Sequence, residues 1–86
     1  MSYTIRIEKP AEKFILKQPK EQQERLLKAI RKLPHEGDIK HLQGKKSKGF
    51  DRLRVSDYRV IFRVERDQVI VCVIDVGNRG DIYKRY

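Results

Sequence analysis

Between Phe50 and Val64 the chain reads FDRLRVSDYRVIFRV, with Arg52, Arg54, Arg59 and Arg63 set at even spacing inside two apolar-alternating runs. A guanidinium group is a planar fork of donors that stays charged at any physiological pH, and its natural ligand is a phosphate or carboxylate oxygen. Ser56-Asp57, a polar pair between the two runs, predicts a tight β-hairpin. With those two residues as the loop, Val55 lies opposite Tyr58, Arg54 opposite Arg59, Leu53 opposite Val60 and Arg52 opposite Ile61. One face then carries Leu53, Val55, Tyr58, Val60, Phe62 and Val64, and the other carries the arginines. Like charges opposed on a sheet cost some tenths of a kcal/mol each. The alternative is a solvated face with acidic neighbours, but so many guanidinium groups on one face of a basic chain favour anion binding.

The whole chain has the same sign. Its 86 residues carry 21 Lys plus Arg against 12 Asp plus Glu, a formal net charge of +9, which attracts polyanions, nucleic acid foremost. That length allows one domain, residues 1–86, with a small core. The longest uninterrupted apolar run is Val69 to Ile74, far short of the roughly 20 residues that a helical membrane span needs. The start, MSYTIRIEKP, alternates and has no apolar signal region, and the single Cys72 cannot build a disulfide framework. A cytoplasmic protein with no membrane partner is the expectation.

The elements that position the arginines follow from periodicity. Tyr3 to Glu8 alternates and predicts a first strand. Pro10, Ala11, Phe14 and Ile15 predict a helix over 10–17, and the stripe Leu26, Leu27, Ile30 and Leu33 a second over 20–33, ended by Pro34. Glu21 with Arg25 and Glu24 with Lys28 are i,i+4 pairs of a solvated helix face. Residues 34–49, PHEGDIKHLQGKKSKG, read as a loop, with Ile39 and Leu42 as anchors. Val69 to Val76, VIVCVIDV, reads as a strand covered on both faces. A turn near Asp67 and Gln68 that set Val64 against Ile70 would put Ile70, Cys72, Ile74 and Val76 in the core and Asp75 beside Arg59. The expected architecture is α+β, in the order β-α-α-β-β-β. Two N-terminal helices pack on one face of a small antiparallel-dominated sheet, and the arginines and the segment GNRGDIYKRY lie on the other.

Other site types fit poorly. One Cys and two His cannot assemble a structural zinc site, so neither metal nor cofactor is expected. Gly44-Lys45-Lys46-Ser47 imitates the end of a phosphate-binding loop, but Ile39 stands where its first glycine belongs. His35 and His41 read as exposed loop histidines. Lys45, Lys46 and Lys48 read either as loose phosphate contacts near the hairpin, with Arg63 a further RNA contact, or as a solubilising loop.

The order of elements, the hairpin RLRVSDYRVIF, the strand VIVCVIDV and the following VGNRGDIY resemble the RelE/ParE superfamily of toxins from toxin-antitoxin pairs, over essentially the whole chain. The most specific part is Asp57-Tyr58-Arg59 together with Val76-Gly77-Asn78-Arg79 and Tyr83. For the RelE branch the resemblance implies a messenger RNA interferase that cuts in the ribosomal A site and is neutralised by an antitoxin wrapped on its basic groove. It implies that Arg59 contacts the scissile phosphate, that Arg79 is the arginine after the last strand, and that Tyr83 orients or activates the nucleophile. Arg52 and Phe50 stand where RelE proper has lysines, and Asn78 where many relatives have histidine.

Metal-free RNA cleavage by the neighbouring 2′-hydroxyl needs a base, a stabiliser of the phosphorane, and an acid for the 5′-oxygen. Arg54, Arg59 and Arg79, with Arg52, suit the second task. An arginine hardly deprotonates, so the first and third are poorly supplied. Tyr83, with a reference pKa near 10, serves as base only if guanidinium groups lower it. The ribosome would hold the message in attack geometry, and activity on free RNA is expected to be negligible. Two other classes stay open: a ParE-like poison of DNA gyrase, and an RNA-binding module, which would normally expose more aromatic rings for stacking.

Overall fold

The computed structural model describes residues 3–45 and 48–86. Strand β1 (Thr4–Ile7) leads into helix α1 (Lys9–Leu16) and helix α2 (Lys20–Arg31). Strands β2 (Asp38–His41), β3 (Asp51–Val55), β4 (Tyr58–Glu65) and β5 (Ile70–Asn78) follow, and a single turn of helix, α3 (Arg79–Ile82), ends the fold. Pro10 sits in the first turn of α1, where its missing N–H costs nothing. The break at Pro19 turns the chain into α2.

The sheet runs β1-β5-β4-β3-β2. β2 to β5 form an antiparallel meander, and β1 joins β5 in parallel, Ile5 beside Val71 and Ile7 beside Val73. Both helices cover one face. Ala11, Ile15, Leu26, Ile30 and Leu33 meet Leu53, Val55, Val60, Phe62, Val71, Val73 and Val76 in one buried cluster. At its edge Phe14 meets Tyr58 edge-on, ring centroids 5.9 Å apart, and the Tyr58 hydroxyl donates to Gln18 Oε1 at 2.9 Å. The helix pair is thereby fastened to the start of β4. No helix among the described residues is long and apolar enough to cross a membrane.

Two expectations are corrected. Residues 38–41 form a strand where a loop was expected: Ile39 pairs with Leu53 and packs against the core, and that one anchor suffices because β3 already offers an open edge. Gly37 makes the entry possible, since it has φ +128° and a Cβ there would lie 2.6 Å from Leu53 Cδ1. The turn after β4 is one residue shorter than the expected pairing requires, with Val69 in the left-handed region at φ 55°, so Glu65 rather than Val64 pairs with Ile70. Val71 and Val73 therefore face the core, while Ile70 and Cys72 fall on the arginine side. An irregularity opposite Ile61 and Phe62, where β5 carries the extra residue Ile74, restores the phase so that Val76 is in the core.

Candidate nucleic-acid interface

The hairpin has the register read from its pattern. Val55 pairs with Tyr58, Arg54 with Arg59, Leu53 with Val60 and Arg52 with Ile61. Ser56 takes φ 56°, the left-handed geometry that a two-residue connection demands. Arg52, Arg54, Arg59 and Arg63 accordingly share the face away from the helices.

They are not equivalent there. Arg59 is only 5% exposed. Its Nη1 donates to the carbonyls of Ser56 at 3.1 Å and Tyr58 at 2.9 Å, so the side chain braces its own turn. Its Nε is buried with no partner among the described residues. Arg52 is 9% exposed, and its Nη2 lies 3.6 Å from Asp38 Oδ1, an acid supplied by the strand that the sequence concealed. Arg63 Nε is 2.7 Å from Glu65 Oε1. Arg54 is exposed, and its side chain has no ion pair or hydrogen bond among the described residues.

The C-terminal segment folds over the same face. The Arg79 N–H donates to Asp57 O at 2.9 Å, fixing the start of α3 against the hairpin turn. Ile82 is fully buried over Gly77, where a Cβ would stand 3.1 Å from Ile82 Cδ1. The absent side chain lets α3 lie this close. Tyr83 remains 42% exposed. Farther along, buried Asp75 takes Arg85 through Nε at 3.0 Å and Nη2 at 2.9 Å, accepts from the Tyr86 hydroxyl at 3.3 Å, and accepts from the Val76 N–H at 2.9 Å. Burial, then the Asp75 charge and hydrogen bond, hold the Tyr86 phenol above its ordinary pKa of 10.0, against an opposing pull from Arg85. Tyr86 also meets Phe50 edge-on, centroids 5.8 Å apart.

The predicted residues thus divide into two groups. Arg54, Arg59, Arg79 and Tyr83 come together at the turn end of the sheet, with Arg52 one step along β3. Lys45 and Lys48 lie in the connection between β2 and β3, at the opposite end of β3 from the turn rather than near it, and Arg63 lies toward that end too. Lys46 falls outside the described residues. Asp75 is on the arginine side but stands across from Ile61, and Gly77 takes the place beside Arg59. The expected orienter of Arg59 is therefore the anchor of the C-terminal segment. His41 is not in a loop: it ends β2 and meets Asp51 through Nδ1 and Oδ1, on the face away from the arginines. Among the described residues no group of three or more His, Cys, Asp or Glu is arranged to hold a metal ion.

Sequence reading missed Asp38 and Lys40, which β2 brings opposite Arg54 and Arg52. The alternation of Asp38-Ile39-Lys40-His41 was a signal, but a weak one with a single apolar residue.

Comparison with known proteins accords with this arrangement. Residues 5–83 match the family of ParE toxins of type II toxin-antitoxin systems. The isolated RelE toxin of E. coli superposes with TM-score 0.71 at 26% identity, over 96% of this chain and 93% of that one. A chain of the archaeal RelE-RelB complex of Pyrococcus horikoshii gives 0.73 at 26% identity, over 94% and 99%. A chain of the Mycobacterium tuberculosis RelBE2 toxin-antitoxin complex gives 0.79 at 20% identity, over 92% and 100%, a likeness of fold. No curated protein sequence matches. With its matched span running from β1 to just past α3, the chain belongs to the ParE toxin family, within the RelE/ParE superfamily of type II toxin-antitoxin toxins.

Proposed function

We propose that this toxin is a ribosome-dependent endoribonuclease that cuts translated messenger RNA in the A site. One observation carries the reading: Arg54 and Arg59 are cross-strand partners, and the turn joining their strands holds the start of α3, so that Arg79 converges on the same end of the sheet. Preorganised cations around one position suit a phosphorane, the species with the most negative charge along the reaction. The 2′-oxygen would attack phosphorus, forming the O2′–P bond as the P–O5′ bond breaks, to leave a 2′,3′-cyclic phosphate and a 5′-hydroxyl. Tyr83, exposed at the rim, would take the 2′-hydroxyl proton. The ribosome would supply the attack geometry, worth roughly 7 to 11 kcal/mol in favourable intramolecular reactions.

The unpaired cations Arg54 and Arg79 also suit carboxylates, and RelE-RelB complexes are among the structural neighbours. An antitoxin segment that brings acids to this groove is therefore the proposed protein partner. A second reading, gyrase poisoning without RNA cleavage, is favoured by the ParE family match and by Phe50 and Arg52 at positions where RelE proper has lysines.

Induced expression of wild type, Arg59→Ala, Arg79→Ala and Tyr83→Phe separates the two. Each variant should cut A-site messages about 10²- to 10³-fold more slowly, the usual effect of removing one oxyanion donor or proton-transfer group. Whole messages with broken chromosomal DNA would establish gyrase as the target, and undiminished cutting by the Arg59 variant would refute the mechanism.

A further inference from the structure

An arginine site leaves one proton unassigned. The 5′-oxygen departs as an alkoxide unless something protonates it, and a guanidinium gives up its proton too reluctantly to serve. The carboxylates that strands hold on this face are engaged, Asp38 with Arg52, Glu65 with Arg63, and Asp75 with Arg85 and Tyr86, and the Cys72 thiol is buried away from a ligand. The Tyr86 hydroxyl is committed to Asp75. His41 lies on the other face with Asp51.

β2 supplies what is lacking. Lys40 pairs directly with Arg52, one residue from His41 and therefore on the arginine side. It is exposed, and its ammonium has no ion pair or hydrogen bond among the described residues. Among those residues it is the one amine that a strand holds on this face. Arg54 lies diagonally across the β2–β3 pair from it, a separation of about 7–8 Å that two long side chains can close around one phosphodiester.

We infer that Lys40 is the general acid of the reaction, giving its ammonium proton to the departing 5′-oxygen while Arg54 holds a non-bridging oxygen of the same phosphate. The inference rests on the ribonuclease reading above. As the P–O5′ bond breaks, its electron pair goes to O5′, the Lys40 proton follows, and the neutral amine recovers a proton from water. A lysine suits the step because an ammonium gives up a proton to an alkoxide far more readily than a guanidinium does.

The test compares two messages on programmed ribosomes, one with an ordinary A-site linkage and one with sulfur in place of the 5′-bridging oxygen. A thiolate leaves without a proton. Lys40→Arg keeps the charge, so it should bind ribosomes with an unchanged salt dependence. It should cut the oxygen linkage about 10²- to 10⁴-fold more slowly than wild type and the sulfur linkage at nearly the wild-type rate. Equal slowing on both linkages would make Lys40 a positioning residue and overturn the inference, as would an oxygen-linkage rate equal to wild type; in both cases the ribonuclease reading stands. Wild type that leaves both messages whole would remove that reading, and the inference with it.

Discussion

Ile82→Ala should detach the C-terminal segment while leaving the sheet folded. Ile82 is fully buried, yet it lies outside the cluster that joins helices to sheet and touches the opposite face over Gly77. Removing three methyl or methylene carbons at a buried isoleucine costs about 2–5 kcal/mol. The supports that remain are the Arg79 N–H to Asp57 O bond and the Asp75 anchor. Arg85 is half exposed, so solvent screens that ion pair to roughly 1 kcal/mol or less. The loss therefore falls on a local opening, whose equilibrium should rise from about 30-fold to a few thousandfold. Hydrogen exchange reads it directly: the amides of Arg79, Lys84 and Arg85, bonded to Asp57, Asp81 and Ile82, should exchange faster by that factor, while those of Val60 and Phe62 in β4 keep their protection. RNA cutting should fall in parallel, because Arg79 and Tyr83 leave with the segment. Equal loss of protection in β4 would refute the reasoning by showing that Ile82 supports the whole fold.

Two further outcomes test the charges themselves. Millimolar pyrophosphate, present at about 100 times its Kd, should stabilise wild type by about 2.7 kcal/mol and raise Tm by about 11–22 °C; Arg59→Met should lose most of that shift, and an undiminished shift would separate Arg59 from anion binding. In Asp75→Asn the Tyr86 phenol loses the carboxylate charge that helps to raise it, so its ultraviolet titration should move to lower pH. The native wild type holds this proton more tightly than the unfolded chain. The stability it contributes is therefore fully present below the ordinary pKa of 10.0 and is lost as pH rises through the higher folded-state value, and a flat dependence of unfolding free energy on pH in that range would contradict the assignment.

The hairpin was legible because its alternation is strict and its turn has two residues, so one register satisfies both. β5 was legible as a strand but not in phase, since Val69 in a left-handed conformation and the extra residue Ile74 each shift the pairing and together leave Val76 and Asp75 on the expected sides. β2 was illegible for an energetic reason: a strand of four residues with one core contact forms only because β3 presents unpaired backbone groups beside it, and no local window carries that information. The Asp75 anchor was hidden in the same way. Arg85 and Tyr86 lie ten and eleven residues from Asp75, and only the path of α3 over Gly77 brings them to it.

That hidden strand decides what the arginine face presents to a ligand. Taken from the hairpin alone, the face is a like-charge cluster with nothing to offset it. In the folded chain Arg52 is matched by Asp38, Arg63 by Glu65 and Arg85 by Asp75, while Arg59 is buried against carbonyl oxygens of its own turn. Partly exposed pairs of this kind stabilise little, about 0–1 kcal/mol each, so their consequence is the distribution of charge rather than stability. What remains unpaired, among the described strand and α3 residues of this face, is Arg54 and Arg79 at the turn end and Lys40 on β2, with Arg59 beneath, and Arg6 on β1 away from them at the other edge of the sheet. β2 thus acts in two opposite ways within three residues: Asp38 quenches the arginine farther from the turn, and Lys40 adds an unpaired ammonium to the cations left free. A polyanion approaching a face graded like this is drawn toward the turn end, where a phosphate would meet two guanidinium groups and one amine in place of a uniform sheet of charge.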